Sequence, residues 1–204
     1  LLALGMTAAM TAGLLAGCGG NTGSKDPAPA ASGSVSAEGL ALSVSVASEP
    51  ETMDPALNRT VDGGIMAHHL FENLYKWVDS SDGAGDGEGG PTAVLGLGMA
   101  KEEPEITENA DGTYTWTFTL REGITFSDGT PLTGTVAAQA LRDAMAPDSH
   151  YAQRLGGVRS VAAGEGTVTV TLSTPNGALP VLLDIPIALG DGDRPLGTGP
   201  YVLT

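Results

Sequence analysis

The residues with the clearest chemical potential are acidic or imidazole side chains. Glu49 and Glu51 flank Pro50. Either carboxylate could hold a cationic ligand group if it were desolvated, because charge-assisted hydrogen bonds are the strong ones. As solvated surface groups they would do nothing, and both readings stay open. His68 and His69 invite a metal reading. Adjacent residues on a helix point about 100° apart, however, whereas chelating histidines sit four residues apart. The pair is therefore not expected to ligate one ion. Asp79, Asp82, Asp86 and Glu88 crowd a Gly-rich stretch, but their spacing lacks the alternate oxygen ligands and closing Glu of a calcium loop. A hydrated connection is expected there. No Gly-x-Ser-x-Gly elbow, His-Glu-x-x-His helix or phosphate loop ending in Gly-Lys-Ser/Thr occurs. Nothing singles out an acid/base pair, so no enzyme, no metal and no cofactor are expected.

Charge and composition narrow the classes further. The 204 residues carry 24 Asp+Glu against 9 Lys+Arg, a formal charge of −15. Phosphate backbones need clustered Lys and Arg, so nucleic acid is excluded as a partner. A basic patch against an anionic membrane is excluded for the same reason. The single Cys rules out an internal disulfide and a multi-Cys zinc site. Apolar residues make up 41%, enough to bury a core.

Residues 1–17 are uncharged and end in small residues, as an export signal does. The run is too short to cross a bilayer, which takes roughly 20 apolar residues. The charged start of such a signal is missing, so the true N-terminus is expected upstream. Leu15-Ala16-Gly17-Cys18 resembles the lipobox of bacterial lipoproteins, in which the Cys is lipidated and becomes the new N-terminus. A free Cys beside a secretory cleavage site is the alternative. Residues 18–39 are rich in Gly, Ser, Ala and Pro. They cannot offset their ordering entropy by burial and are expected to form a flexible tether.

The folded part reads as α+β. Leu40–Ser48 alternates and predicts a half-buried strand. Met66, Leu70, Leu74 and Trp77 recur at helical spacing and predict one helix face after Gly64. Tyr114, Trp116, Phe118 and Leu120 alternate with threonines over 113–120, the pattern of a sheet with one buried side. Asp111-Gly112 before them is a hairpin signal. Ile124–Phe126 predicts a short partner strand, and residues 127–131 a turn. Thr133 can cap a helix running to Met145, which Pro147 stops. Residues 158–163 and 167–172 predict two strands around Gly164-Glu165-Gly166. Residues 175–200 are loop-rich with one short apolar run at 178–183, and Tyr201–Thr204 looks like the start of a strand.

A collinear set of stretches carries a family resemblance: Ser48–Pro55 (SEPETMDP), His69–Tyr75 (HLFENLY), Asp111–Thr133 (above all REGITFSDGTPLT), Tyr151-Ala152 and Gly197–Tyr201 (GTGPY). The chain resembles the family 5 extracellular solute-binding proteins, the peptide-binding components of ABC importers. One departure lies in the helix after Thr133. The family commonly has Ala-x-Asp-Val there, and this chain has Gly134-Thr135-Val136. An acid in that first turn would favour the helix dipole by roughly 0.3–1 kcal/mol.

The resemblance implies a periplasmic-binding-protein-like (class II) fold whose two lobes close on a ligand. Residues 40–63 and 173–204 would belong to the first lobe, and 64–172 to a smaller domain packed on it. Members of the family are much longer, so a fragment or truncated product is expected, with the second lobe not yet begun. The implied ligand is an oligopeptide lying extended and pairing its main chain with the protein, which gives affinity without reading side chains. The loop Asn58-Arg59-Thr60-Val61-Asp62 corresponds to the family's backbone-touching loop, and Tyr151 to a tyrosine near the cleft. Glu49 lies near the expected cleft. Implied partners are ABC permease subunits and, through Cys18, the membrane itself. A monomer is expected, held outside the cytoplasm on the outer face of the cell membrane, or on its periplasmic side if an outer membrane exists. A nickel chelate, haem or another small solute remains an alternative ligand, and a surface lipoprotein that binds nothing remains an alternative function.

Overall fold

The computed structural model describes residues 43, 45–79, 93–190 and 194–203. Cys18, the tether and Asp82, Asp86 and Glu88 lie outside the described residues. The elements run α1 (Val61–Leu70), β1 (Glu72–Asn73), β2 (Tyr75–Asp79), β3 (Ala93–Leu97), β4 (Glu105–Glu108), β5 (Tyr114–Thr119), α2 (Gly134–Ala144), β6 (Val158–Gly164), β7 (Thr167–Leu172), α3 (Leu179–Leu182) and β8 (Pro186–Ile187).

The centre is a four-stranded antiparallel sheet in the order β4-β5-β7-β6. Alternation in β5 and β7 decides its two faces. Trp116 pairs with Val170 and Phe118 with Val168, and all four are buried. Thr115, Thr117 and Thr119 pair with Thr171, Thr169 and Thr167 on the half-exposed face. Helix α2 covers the apolar face with Ala137, Ala138, Leu141 and Ala144, all buried. Three of these four are alanines, which lets the helix approach the sheet closely. Aromatic rings complete the core: Tyr75 meets Phe118 edge-on at 6.0 Å, and Trp116 stacks on Phe118 at 6.5 Å. Such pairs add about 0.5–1.5 kcal/mol each beyond area burial.

The stretch from Arg121 to Thr133 is scaffold. Gly123 and Gly129 adopt φ of 76° and 88°, conformations that glycine takes without strain. Asp128 Oδ1 accepts from the Thr130 amide at 2.8 Å, and Phe126, 2% exposed, is the anchor of the turn. Thr125 meets Pro131 as a single bridge, so the expected partner strand is reduced to a tight loop. Thr133 then caps α2, its hydroxyl accepting from the Val136 amide. The Gly197–Tyr201 stretch has an equally local reason. The Gly199 and Tyr201 amides donate to the carbonyls of Leu70 and His69, which α1 leaves open at its C-terminus. A Cβ at Gly197 or Gly199 would collide with those same carbonyls.

Three further expectations are corrected. The helix predicted through Leu74 and Trp77 ends at Leu70. Residues 75–79 instead pair with Ala93–Leu97, and Trp77 is 52% exposed on strand β2. Tyr, Trp and Val are strand formers, and a distant partner outweighed the helical spacing. Residues 45–48 are not in a strand; the Ala47 and Ser48 amides donate instead to Asp62 Oδ2 at 3.1 and 3.2 Å. Residues 201–203 pair with no strand, because the Tyr201 amide is taken by the end of α1.

The start of α2 yields a test. Gly134 is buried, and a Cβ there would run into the carbonyl oxygens of Gly164 and Thr167 in the β6–β7 hairpin. Gly134→Ala gains up to about 1 kcal/mol of helix propensity but overpacks rigid backbone, at a cost of about 1–3 kcal/mol. The variant should unfold at lower urea than the parent. An unchanged or raised midpoint would show that the hairpin yields.

Candidate functional site

The loop before α1 is built on one side chain. Asn58 donates from Nδ2 to the Thr52 carbonyl at 2.8 Å and accepts at Oδ1 from both the amide and the hydroxyl of Thr60, each at 2.9 Å. Its carboxamide occupies the space where a Cβ at Gly63 would stand. Thr60 is thereby placed as the N-cap of α1, its hydroxyl accepting from the Gly63 amide at 3.0 Å. Arg59 projects between these two anchored residues and donates to the main-chain oxygen of Asp148 at 2.8 Å. The connection after α2 is thus tied to the start of α1. A second tie joins the same segments, the His150 amide donating to the Ala56 carbonyl at 3.1 Å.

These ties enclose a hollow of about 390 Å³. Asn58, Arg59, Thr60 and Gly64 line one side, and His150 and Tyr151 the other. Pro55, Gly63 and Ala67 complete the wall. Tyr151 is half-buried. The His150 ring lies 3.8 Å from its ring, and the Arg154 guanidinium sits 4.5 Å from its centroid. Desolvation raises the Tyr151 hydroxyl above the ordinary tyrosine range, and Asp184 adds to the rise while Arg154 opposes it. His150 is held below its ordinary value, first by desolvation and then by the charges of Arg154 and Arg59. The hollow is therefore lined by a tyrosine, a histidine and the Arg59 side chain beside a helix N-terminus. That equipment suits noncovalent recognition.

The structure thus brings Asn58, Arg59, Thr60 and Tyr151 into one hollow. Val61 is 80% exposed and does not line it. Asp62 faces the preceding chain, through its bonds to Ala47 and Ser48. Glu49 lies in a separate hollow of about 630 Å³ with Glu51, Met66 and Arg194. His68 is exposed, while His69 Nδ1 lies 2.8 Å from the Ile65 carbonyl of its own helix. Among the described residues no group of three or more His, Cys, Asp or Glu is placed to hold a metal. Sequence reasoning misses His150 and Arg154. Their only signal is adjacency to Tyr151, at one residue and at the three-residue spacing of a turn.

Comparison with known proteins identifies the fold these parts belong to. The profile described as "Bacterial extracellular solute-binding proteins, family 5 Middle" matches residues 95–204. The chain belongs to the family 5 bacterial extracellular solute-binding proteins. It is 33% identical over 175 residues to Protein XP55 of Streptomyces lividans, a match that covers 79% of the chain and 29% of that protein. Among solved structures it resembles NikZ from Campylobacter jejuni in complex with Ni(L-His), with TM-score 0.57 and 18% identity over 76% of this chain and 31% of that one. It also resembles Listeria monocytogenes OppA bound to peptide, with TM-score 0.51 and 22% identity over 66% and 28%. The expected class II periplasmic-binding-protein-like fold, mixed α and β, is therefore present in its N-terminal portion. The chain spans 29–31% of the length of Protein XP55 and NikZ. Tyr151 falls inside the matched profile, and the 58–60 side of the hollow lies before it.

In this family 5 solute-binding protein, adjacent glycines of α1 should respond oppositely to alanine. Gly64 has nothing within 4 Å of a Cβ position, so Gly64→Ala should stabilise by about 0.5–1 kcal/mol through helix propensity. Gly63→Ala must evict the Asn58 carboxamide and should destabilise. Chemical denaturation, with amide exchange at residues 58–60, reads both. Equal effects would mean that Asn58 does not anchor the loop.

His150 supplies a pH dependence. A depressed imidazole leaves the unfolded chain binding more protons than the folded one, so stability rises with pH in that window. The contribution is complete above the ordinary value of 6.5 and is lost as the pH falls from there through the depressed value of the folded state. Melting curves of His150→Gln should show a shallower decline than the parent from pH 7 downward to about pH 5. Identical slopes would contradict the placement of this ring.

Proposed function

We infer that the chain is the ligand-recognising N-terminal part of an ABC-importer receptor that captures oligopeptides outside the cell and delivers them to a membrane permease. The observation that carries this reading is the single hollow joining the Asn58–Thr60 loop to Tyr151. An extended peptide has main-chain donors and acceptors to satisfy, and a loop held open by Asn58 offers matching groups without reading side chains. Tyr151 offers apolar area at low entropy cost. Residues 40–63 and 173–204 would build the first lobe and 64–172 the smaller domain. Cys18 would carry lipid. Each buried CH₂ of that lipid adds about 0.8 kcal/mol of membrane affinity, and two or more chains hold a protein stably.

A second reading is a small solute such as a metal chelate. It rests on the likeness of fold to NikZ in complex with Ni(L-His). Haem is a further candidate of the same kind.

Protein made from the complete reading frame should gain thermal stability across a panel of di- to hexapeptides, since a ligand that binds only the native state stabilises it by mass action. A ligand at a hundred times its Kd should add about 2.7 kcal/mol. No shift with any peptide, and a shift with nickel–histidine, would replace the first reading with the second.

The anchor has its own test. Cys18→Ser should release the protein from the membrane fraction in cells, and mass spectrometry of the parent should find an acylated Cys18. An unmodified Cys18 in membrane-free protein would remove the anchor from this account.

A further inference from the structure

The central sheet has two outer strands, β4 and β6, and they differ in what they offer another chain. Strand β4 reads Glu-Ile-Thr-Glu. A second copy pairing antiparallel there, centred between Ile106 and Thr107, would set Glu105 opposite Glu108. Like charges directly opposite destabilise such a pair. Strand β6 ends in Val161-Ala162-Ala163-Gly164, which carries no charge. It lacks the protection that a charged edge has.

The ladder fixes where the main-chain groups of β6 point. The Lys101 amide donates to the Thr119 carbonyl at 2.8 Å, so Thr119 turns its groups away from β7. Alternation along an antiparallel ladder then makes Phe118–Val168 and Trp116–Val170 the hydrogen-bonded pairs. Val168 and Val170 thus direct their N–H and C=O to β5. Their neighbours in β6, Ala163 and Val161, therefore turn theirs outward, to the free edge.

One of these outward groups is already engaged. Arg142 reaches across from α2, and its Nη1 donates to the Val161 carbonyl at 3.2 Å. The guanidinium is held in place: Nη2 and Nε donate to Gln139 Oε1 at 2.9 and 3.3 Å, and Gln139 Nε2 donates to Asp143 Oδ1 at 2.7 Å. Arg142 itself is exposed, so this arrangement contributes no core packing.

An antiparallel strand centred on Ala162 fits the edge. It sets Val161 of each copy opposite Ala163 of the other, two hydrogen-bonded pairs about a twofold axis. The same register brings Arg159 of each copy towards Glu165 of the other, opposite charges where β4 would meet like ones. The present neighbour of Arg159 is Asp111 at 3.8 Å, an exposed pair of the weak kind.

We propose that β6 is a self-pairing edge for a second copy of this chain, and that Arg142 is the contact that keeps it closed. The guanidinium occupies the approach to the Val161 carbonyl that the Ala163 amide of the second copy needs.

Sedimentation equilibrium of protein from the complete reading frame tests this. Arg142→Ala places the best helix former at an exposed helical position, so the fold should hold. The variant should dimerise about tenfold more tightly than the parent, the scale of one competing charge-assisted hydrogen bond. Gln139→Ala, which loosens the guanidinium without touching the edge, should shift association the same way by less. Adding Ala163→Pro to Arg142→Ala removes an outward N–H at an edge position and should return association to the parent's level or below. Equal association of the parent and Arg142→Ala overturns the inference. So does a dimer that Ala163→Pro leaves intact. Aggregate in place of a dimer with Arg142→Ala, together with Gln139→Ala indistinguishable from the parent, overturns it as well.

Discussion

The site depends on the Asn58 carboxamide resting against the bare backbone of Gly63. That contact does several jobs with one side chain. It fixes Thr52 through a carbonyl, aligns Thr60 through its amide and hydroxyl, and so caps α1. Hydrogen bonds of this kind contribute only about 0.5–1.5 kcal/mol each. Their importance is geometric: with both neighbours fixed, Arg59 can reach the Asp148 carbonyl and close the hollow on Tyr151. A larger residue at 63 would remove the seat and with it the loop's single conformation.

The scaffold behind the site is rigid for a different reason. Its sheet and α2 share a core of small and large residues, alanines on the helix against Phe118, Val168 and Val170 on the strands. The end of α2 leads directly to Ser149, which is buried and accepts at Oγ from the Tyr151 amide at 3.1 Å. The ring of Tyr151 is therefore positioned by the packed domain, whereas Arg59 belongs to a loop. One wall of the hollow is thus set by the packed domain and the other by the loop that Asn58 anchors.

Much of the fold was legible because local rules agreed with the final contacts. Strands β5 and β7 alternate strictly, and each apolar residue found an apolar partner across the pair. Helix α2 has a capping Thr133 and a stopping Pro147. Gly129 marked a turn that its backbone freedom permits. The misreadings arose where the deciding partner is distant in the chain. Leu74 and Trp77 fit a helical face, but residues 93–97 offered a ladder that no local pattern around 75–79 announces. Strand β4 (Glu-Ile-Thr-Glu) is an exposed edge, with Glu105 and Glu108 discouraging further pairing, and its one apolar residue, Ile106, makes no alternating pattern. In the candidate hollow, residues 58–60 and Tyr151 were singled out by resemblance alone. His150 and Arg154 were not, since charge convergence is a property of the folded surface.

The most direct measurement is a crystal structure of protein from the complete reading frame with a ligand bound. The account predicts main-chain contacts from residues 58–60 to the ligand and the ring of Tyr151 against it. A ligand seated in the Glu49–Arg194 hollow, or in the hollow beside α2, with the Asn58–Tyr151 hollow empty, would contradict it.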